Sequence, residues 1–493
     1  VNFIDDVMER FPASKRALIT IDREGQRRVW HFGELIAMSA GVSGALAARG
    51  VRRGDVVMTL IGNRLEWVLT MLACWRMGAV ALPCNVQLRR ADLEYRARAA
   101  EPVICVAEDD LVGELPEGIP LLLRSEFERI LDEDLPQEPP VEVADLDPED
   151  PALIVFTSGT TGEPRGALHT TRYLLGQRVQ ARHWLGAREG ELVWCTTATG
   201  WSKSARNVFV APWLCGATAL ICEGRFDPAQ RLEILEREGV NVLCQTPTEY
   251  RLTAKRAELR PLPALRRMVS AGEALNPEVM EAFEEAMGIT ISDGYGQTET
   301  GQVTGNLVGE RPRPGSMGQA LPGVELRVVD DDGDGSGELQ VRASTCPTFF
   351  ARYLDETTEQ VRERLVDDEW WATGDVVRRD ADGFYWYEGR NDDLILSSGY
   401  RIGPFEVESA LVSHPAVAEA AAVAAPDPER GSVVRAVVVL RSGEPGDELR
   451  RELQEHVKQR TAPYKYPRII DFVPELPKTS SGKIKRAALR EGR

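Results

Sequence analysis

Residues 54–83 read GDVVMTLIGNRLEWVLTMLACWRMGAVALP. Positions 55–61 form a short apolar run with the pattern of a buried strand, and 66–77 carry a helical pattern. After Gly78 the chain returns to a strand at 79–82. Strand, helix, strand is the unit from which parallel sheets are built, because parallel neighbours need a crossover connection. The alternation recurs at 216–222, 228–239, 240–245 and 277–287. An α/β fold with parallel sheets covered by helices is therefore expected. Residues 109–150 are acidic and hold Pro136, Pro139, Pro140 and Pro148, so they read as a connection that ends before a new strand.

Two further regions differ in style. DDDGDGSG at 330–337 lacks the register and distal Glu of a calcium-binding EF-hand and reads as a solvated turn. Strand patterns beside it, at 338–341 and 384–387, imply a small antiparallel subdomain. The last hundred residues read as a separate α+β unit: helix at 405–412, strands at 420–424 and 433–440, helix at 447–460. Leu449, Leu453 and Val457 recur at i, i+4 and i+8, with Asp447 as N-cap. Glu406 and Glu408 read as solvated charges on the first of these helices.

A chain of 493 residues exceeds one ordinary core, so two or more domains are expected. Its 43% apolar and 28% charged content is that of a globular protein, and a formal charge of −18 disfavours nucleic acid and anionic membranes as partners. Eight cysteines lie scattered with no C-x-x-C pair, which suits reduced thiols. Five histidines without H-E-x-x-H spacing argue against a dedicated transition-metal site. The first residues carry Asp5, Asp6 and Glu9 and no apolar signal core, and the longest apolar candidate, 67–83, is broken by Arg76. These features set the expectation of a cytoplasmic protein with no membrane span.

The segment TSGTTGEPRG, 157–166, follows the apolar run 152–156 and packs three glycines and four hydroxyls into ten residues. It is no Walker A loop, since G-x-x-x-x-G-K-[ST] occurs nowhere in the chain. A plain surface turn remains one reading. A loop that wraps phosphate with backbone N–H groups and hydroxyls is the other, favoured by the preceding strand and by Arg165.

TSGTTGEPRG is followed in order by DGYGQTET (293–300), TGD (373–375), YWYEGRNDDLILSSGYRIGPFEVESAL (385–411) and PKTSSGKIKR (477–486). This series resembles the signature motifs of the adenylate-forming superfamily of acyl-CoA synthetases, luciferases and peptide-synthetase adenylation domains. GWSKSARN (200–207) and the C-terminal motifs look most like its medium-chain acyl-CoA synthetase branch. The resemblance spans essentially the whole chain. It implies a large N-terminal adenylation domain, 1–391, of layered αβ subdomains plus a β-barrel-like part. A small mobile C-terminal domain, 392–493, would follow.

The chemistry implied is two half-reactions: a carboxylate attacks the α-phosphate of ATP, releasing pyrophosphate, and the CoA thiol then displaces AMP. Bringing an anion to a polyanion demands positive charge and oriented donors at the phosphorus. By resemblance Thr157, Ser158, Gly159, Thr160, Thr161, Gly162 and Arg165 hold the outer phosphates. Thr298 contacts the α-phosphate and Glu299 holds Mg²⁺. Gly272, Glu273 and Ala274, with Asp293, Gly294 and Tyr295 and the following Gly296 and Gln297, form the nucleotide slot. Asp375 and Arg390 take the ribose. Lys483, on the small domain, supplies the catalytic ammonium, and Asp392 is the hinge about which that domain turns. Gly399 and Tyr400 line the CoA tunnel; Arg401, Tyr464 and Lys465 stand equally as CoA contacts or as surface residues.

Gly200 and Trp201 mark the acyl pocket. Residues 196–210 hold no acid to pair an amine, which disfavours amino-acid substrates. Lys203 reads as a solvated lysine before it reads as a partner for a second carboxylate. Trp201 and the branch resemblance imply short- to medium-chain, branched or aryl acids. Arg165 departs from the family, which usually has lysine there, and Arg and Lys are not interchangeable on phosphate. Two rivals stand beside this reading: an acyl-AMP ligase that loads a separate carrier protein, and an inactive nucleotide- or acyl-binding homologue. The pattern Pro477-x4-Gly482-Lys483 also resembles a target of lysine acetyltransferases and deacetylases. A homo-oligomer and a monomer are equally compatible with the sequence.

Overall fold

The computed structural model describes residues 1–132, 138–157, 164–273, 275–329, 335–397, 400–428, 431–478 and 483–491. Residues 54–83 form the unit their pattern requires. Strands Val56–Leu60 and Val80–Pro83 pair in parallel across the helix Leu65–Met77. Ten of that helix's thirteen residues are buried, which follows from an apolar content that leaves no polar face. It runs beneath the sheet into an aromatic cluster, where Trp67 and Trp75 lie 5.4 and 5.9 Å from the ring of Phe209. Gly78, in the left-handed conformation at φ 74°, ends it.

Two large sheets make the N-terminal body. The first has seven strands, in the spatial order 352–353, 166–170, 151–156, 80–83, 56–60, 104–107 and 121–123. The second has nine, with a parallel centre built from Ser292–Gln297, Arg267–Ala271, Val242–Gln245, Leu192–Cys195, Thr218–Cys222 and Arg16–Ile21. One apolar core joins them, because residues of both sheets and of helix Leu65–Met77 belong to the same buried cluster. Each large aliphatic side chain fully buried there contributes about 1.5–3 kcal/mol. A four-stranded antiparallel sheet, Leu326–Val329, Ser336–Arg342, Trp370–Arg379 and Tyr385–Arg390, stands beside the body.

The C-terminal residues have their own core of Ile395, Ile402, Val407, Leu411, Val438, Leu453, Val457 and Ile470. Helices Pro404–Val412 and Asp447–Arg460 cover a sheet of Val417–Asp427, Gly431–Leu440 and Ile469–Phe472.

Three expectations need correction. Within 109–150 the chain is not only a connection: Leu121–Leu123 adds an edge strand parallel to Ile104–Ala107, because three consecutive leucines suffice to extend a sheet already in place. The N-cap of the long C-terminal helix is Gly446, and Asp447 sits one position inside. There, with Glu448, it complements the positive end of the helix dipole and accepts from Arg450 at 2.6 Å. Glu408 is buried, not solvated. It accepts the Ala422 N–H at 2.8 Å and a two-pronged pair from Arg486. Its neighbour Glu406 stays exposed and pairs with Lys465. The turn at 330–334 lies outside the described residues.

Candidate functional site

One cavity of about 2080 Å³ opens at the carboxyl ends of the parallel strands of the larger sheet, where α/β folds place ligands. Its wall combines the body, the antiparallel sheet and the C-terminal unit. Gly272, Glu273, Asp293, Gly294, Tyr295, Gly296, Gln297, Thr298, Glu299, Asp375, Arg390, Trp201 and Lys483 all line it. The cavity thus brings together residues spread over nearly three hundred positions. The structure also places Thr157 and Arg165 on its wall, whereas Ser158, Gly159, Thr160, Thr161, Gly162, Ala274 and Gly399 lie outside the described residues.

The strand Arg267–Ala271 ends into Gly272, at φ 107°, and Glu273, whose carboxylate accepts from Arg251 at 2.8 Å and from the Thr248 hydroxyl at 3.2 Å. Strand Ser292–Gln297 delivers Asp293 to the floor. That carboxyl is buried, its Oδ1 has no hydrogen-bond partner, and burial pushes its pKa up to about 8 against the pull of the Gly294 and Leu275 amides and of Lys203. Gly296 answers a packing demand: a Cβ there would stand 1.9 Å from the carbonyl oxygen of Gly301 on the paired strand.

Asp375 faces the same floor from the antiparallel sheet, directly opposite Arg390 in register, with a 3.7 Å ion pair between them. The Tyr295 hydroxyl donates to Asp375, and so does the Gln297 side-chain amide at 2.8 Å. Burial raises the Asp375 pKa, while Arg390, Tyr295, Gln297 and Lys483 oppose the shift. These partners fix the carboxylate and leave it on the wall as an acceptor for paired hydroxyls.

Glu299 is half-buried and accepts the Tyr353 hydroxyl on Oε1. A single carboxylate in this position fits Mg²⁺, which binds through one or two carboxylates together with phosphates and waters. Tyr353 in turn lies under the Arg165 guanidinium at 3.8 Å. Arg165 is not a bare phosphate fork: Nη2 donates at 2.7 Å to both Asp355 and Glu356. Its backbone closes the hairpin, since the Thr157 N–H donates to Arg165 O and the Arg165 N–H to Thr157 Oγ1, both at 2.9 Å.

Beside Asn85, Gly200 sits at φ 87°, and a Cβ there would come 2.4 Å from the Asn85 nitrogen, so both the backbone and the space demand glycine. The half-buried Trp201 then takes the N-cap position of the short helix Ser202–Ala205, with no capping bond from its side chain. Lys203 is buried, contrary to its reading as a solvated lysine, and its ammonium donates to the Ala271 carbonyl. One turn on, Arg206 is also buried on the wall. Sequence reasoning passed it over, although Ser202, Lys203 and Arg206 share one helical face by spacing alone.

Lys483 enters from the C-terminal unit. Burial depresses its pKa and Lys203 adds to that, while Glu273, Asp375 and Glu299 hold it up. Asp392 is exposed, and its carbonyl accepts from Arg490 at 2.9 Å, while Arg486 and Arg490 both pair with Asp393. Of the residues read as CoA contacts, Tyr464 is exposed and Lys465 is paired with Glu406, and neither lines the cavity. The backbones of Tyr400 and Arg401 lie in the hairpin Ile395–Ser397 with Tyr400–Ile402. Among the described residues no group of three or more His, Cys, Asp or Glu is disposed to hold a metal, and no helix is long and apolar enough to cross a membrane.

Comparison with known proteins gives concordant matches. The family model for AMP-binding enzymes matches residues 4–350, and that for the AMP-binding enzyme C-terminal domain matches 406–483. The uncharacterized acyl–CoA ligase YtcI of Bacillus subtilis is 41% identical, over 98% of this chain and 94% of its own. The mitochondrial acyl-coenzyme A synthetase ACSM3 of Mus musculus is 36% identical, over 99% and 90%. The solved structure of a benzoate CoA ligase from Burkholderia xenovorans LB400 superimposes with a TM-score of 0.86 at 29% identity, covering all of both chains.

Proposed function

The chain belongs to the AMP-binding enzyme family and is an ATP-dependent acyl-CoA synthetase, and from that premise we propose how its residues divide the work. The substrate carboxylate oxygen attacks the α-phosphorus of ATP, the bond to the β-phosphate breaks, and pyrophosphate leaves. The CoA sulfur then attacks the acyl carbon and AMP departs.

Lys483 is the catalytic ammonium. Placed between carboxylate and α-phosphate, it offsets their repulsion as the bond forms, and the low-dielectric cavity strengthens that effect. Thr298 orients the α-phosphate, and Glu299 holds Mg²⁺, which draws off phosphate charge when bound. Asp375 receives the ribose hydroxyls. Thr157, with the hydroxyl and glycine residues that follow it, grips the outer phosphates. Trp201 and Gly200 shape the acyl pocket for short- to medium-chain, branched or aryl acids. The observation that carries this reading is the common cavity, which Lys483 enters beside Glu299, Asp375 and Glu273.

The N-terminal domain comprises 1–391 and the mobile one 392–493, turning about Asp392 so that one face serves adenylation and another serves CoA. Tyr400 and Arg401 are the CoA contacts of the second state. Eight free cysteines suit a reducing compartment such as the cytoplasm. Acetylation of Lys483 would remove the charge on which the first step depends and so would act as an off switch.

The test separates the half-reactions. Lys483→Ala should lower ATP–pyrophosphate exchange by about 100-fold or more, with far less effect on thioester formation from supplied acyl-adenylate. Equal losses in both steps would remove Lys483 from its assigned role.

A further inference from the structure

Arg206 opens the helical turn Arg206–Val210, three residues after Lys203 and four after Ser202, so one face presents all three to the cavity. The side chain is 5% exposed, and neither Nε nor Nη1 has a hydrogen-bond partner. Among the described residues no carboxylate pairs with it. Its surroundings are polar and incomplete as well. The Tyr173 hydroxyl, both ring nitrogens of His169, Ser204 Oγ and Asn207 Nδ2 are buried without partners. His169 packs on Tyr173 with ring centroids 4.0 Å apart; burial, with the Arg206 and Arg172 cations, pushes it down to about 3, so it is neutral and supplies no counter-charge. Gly301, two residues beyond Glu299, packs on Thr348, where a Cβ would come 2.7 Å from the hydroxyl, and it faces Arg206 Nη1 only at van der Waals distance, 3.5 Å from that Cβ position.

A desolvated guanidinium without an anion is among the costlier arrangements a fold can keep. The chain keeps this one on the wall shared with Trp201. We propose that Arg206 receives a second carboxylate of the substrate, so that the preferred acyl donors are dicarboxylic acids, activated at one end and held at the other. The proposal rests on the acyl-CoA synthetase reading and names its substrate class. The guanidinium fork matches a carboxylate with two parallel N–H···O bonds, which an alkyl or plain aryl tail cannot supply. A hydroxyl or keto group would satisfy one N–H and leave the charge unmatched. Lys203 is the poorer receiver, because its ammonium already serves Ala271 O and stands by Asp293.

Matched acids test this on the full chain with ATP, Mg²⁺ and CoA: glutarate against pentanoate, adipate against hexanoate, phthalate against benzoate, and 6-hydroxyhexanoate and 6-oxoheptanoate as neutral acceptors. The best dicarboxylate should exceed its monocarboxylate partner in kcat/KM for pyrophosphate release by about 100-fold or more. Arg206→Leu should reverse that order by gaining activity on the monocarboxylate, a gain that a merely damaged fold does not give. Arg206→Lys should retain part of the preference. Melting-temperature shifts with the diacid alone report occupancy without turnover, present in the parent and absent in Arg206→Leu.

Several results would overturn the proposal: a parent enzyme that prefers the monocarboxylate or the hydroxy or keto acid, or a diacid preference that survives Arg206→Leu. If no acid releases pyrophosphate yet the diacid still shifts the parent and not Arg206→Leu, the adenylation reading fails and the anion site stands.

Discussion

Asp293→Asn isolates one strongly shifted ionisation in the cavity. Asp293 is buried with an unpartnered Oδ1, and its pKa stands at about 8, where an unfolded chain has an aspartate near 4. Between those values the folded protein holds a proton that the unfolded chain has released. Stability therefore falls as pH rises from about 4 to about 8, and this contribution is flat outside that window. At about 1.4 kcal/mol per unit the loss reaches at most about 5 kcal/mol for the ligand-free chain. Asparagine has nearly the same shape and never ionises, so it mimics the protonated acid at every pH. Parent and variant should thus converge toward pH 4, differ by about 1.4 kcal/mol near pH 5, and the variant should be the more stable by up to about 5 kcal/mol near pH 8. Urea midpoints followed by tryptophan fluorescence across that range measure the difference, in which all other titrating groups cancel. Parallel profiles for the two proteins would refute the reasoning, and so would a parent that gains on the variant as pH rises.

Glu408→Ala leaves Arg486 without its two-pronged partner and the Ala422 amide without its acceptor. We expect a loss of about 2–3 kcal/mol, below the ~3–5 of a fully buried pair because Arg486 keeps 24% of its side chain in water. Hydrogen exchange should rise across 404–427 and 486–491 while the N-terminal body is unchanged; unaltered protection in those segments would show the pair to be dispensable. Gly200→Ala meets both the left-handed backbone and the Asn85 nitrogen. A cost of about 3 kcal/mol or more should appear as a lower melting temperature, and an unchanged one would mean that the loop before Trp201 yields freely.

The parts that were legible in the sequence are those governed by neighbours along the chain. The unit 54–83 announced itself through a change of period, and helix 447–460 through Leu449, Leu453 and Val457 at every fourth position, because local backbone geometry alone sets those patterns. The motifs around Thr157, Thr298, Asp375 and Lys483 identified a chemistry, since a nucleotide demands particular side chains at particular turns of the chain. Charge state and burial did not follow in the same way. Glu408 and Lys203 read as solvated ions, Arg206 drew no reading at all, and nothing near Arg165 in the chain announced its acidic partners. Their roles depend on Arg486, on the Ala271 carbonyl, on an absent counter-ion, and on Asp355 with Glu356, all brought near by chain folding. Desolvation and pairing are sums over whatever surrounds a group in space. The sequence by itself therefore determined the layered fold and the class of reaction. Only the tertiary structure decided which buried ions are already matched and which, like Arg206, still lack a partner.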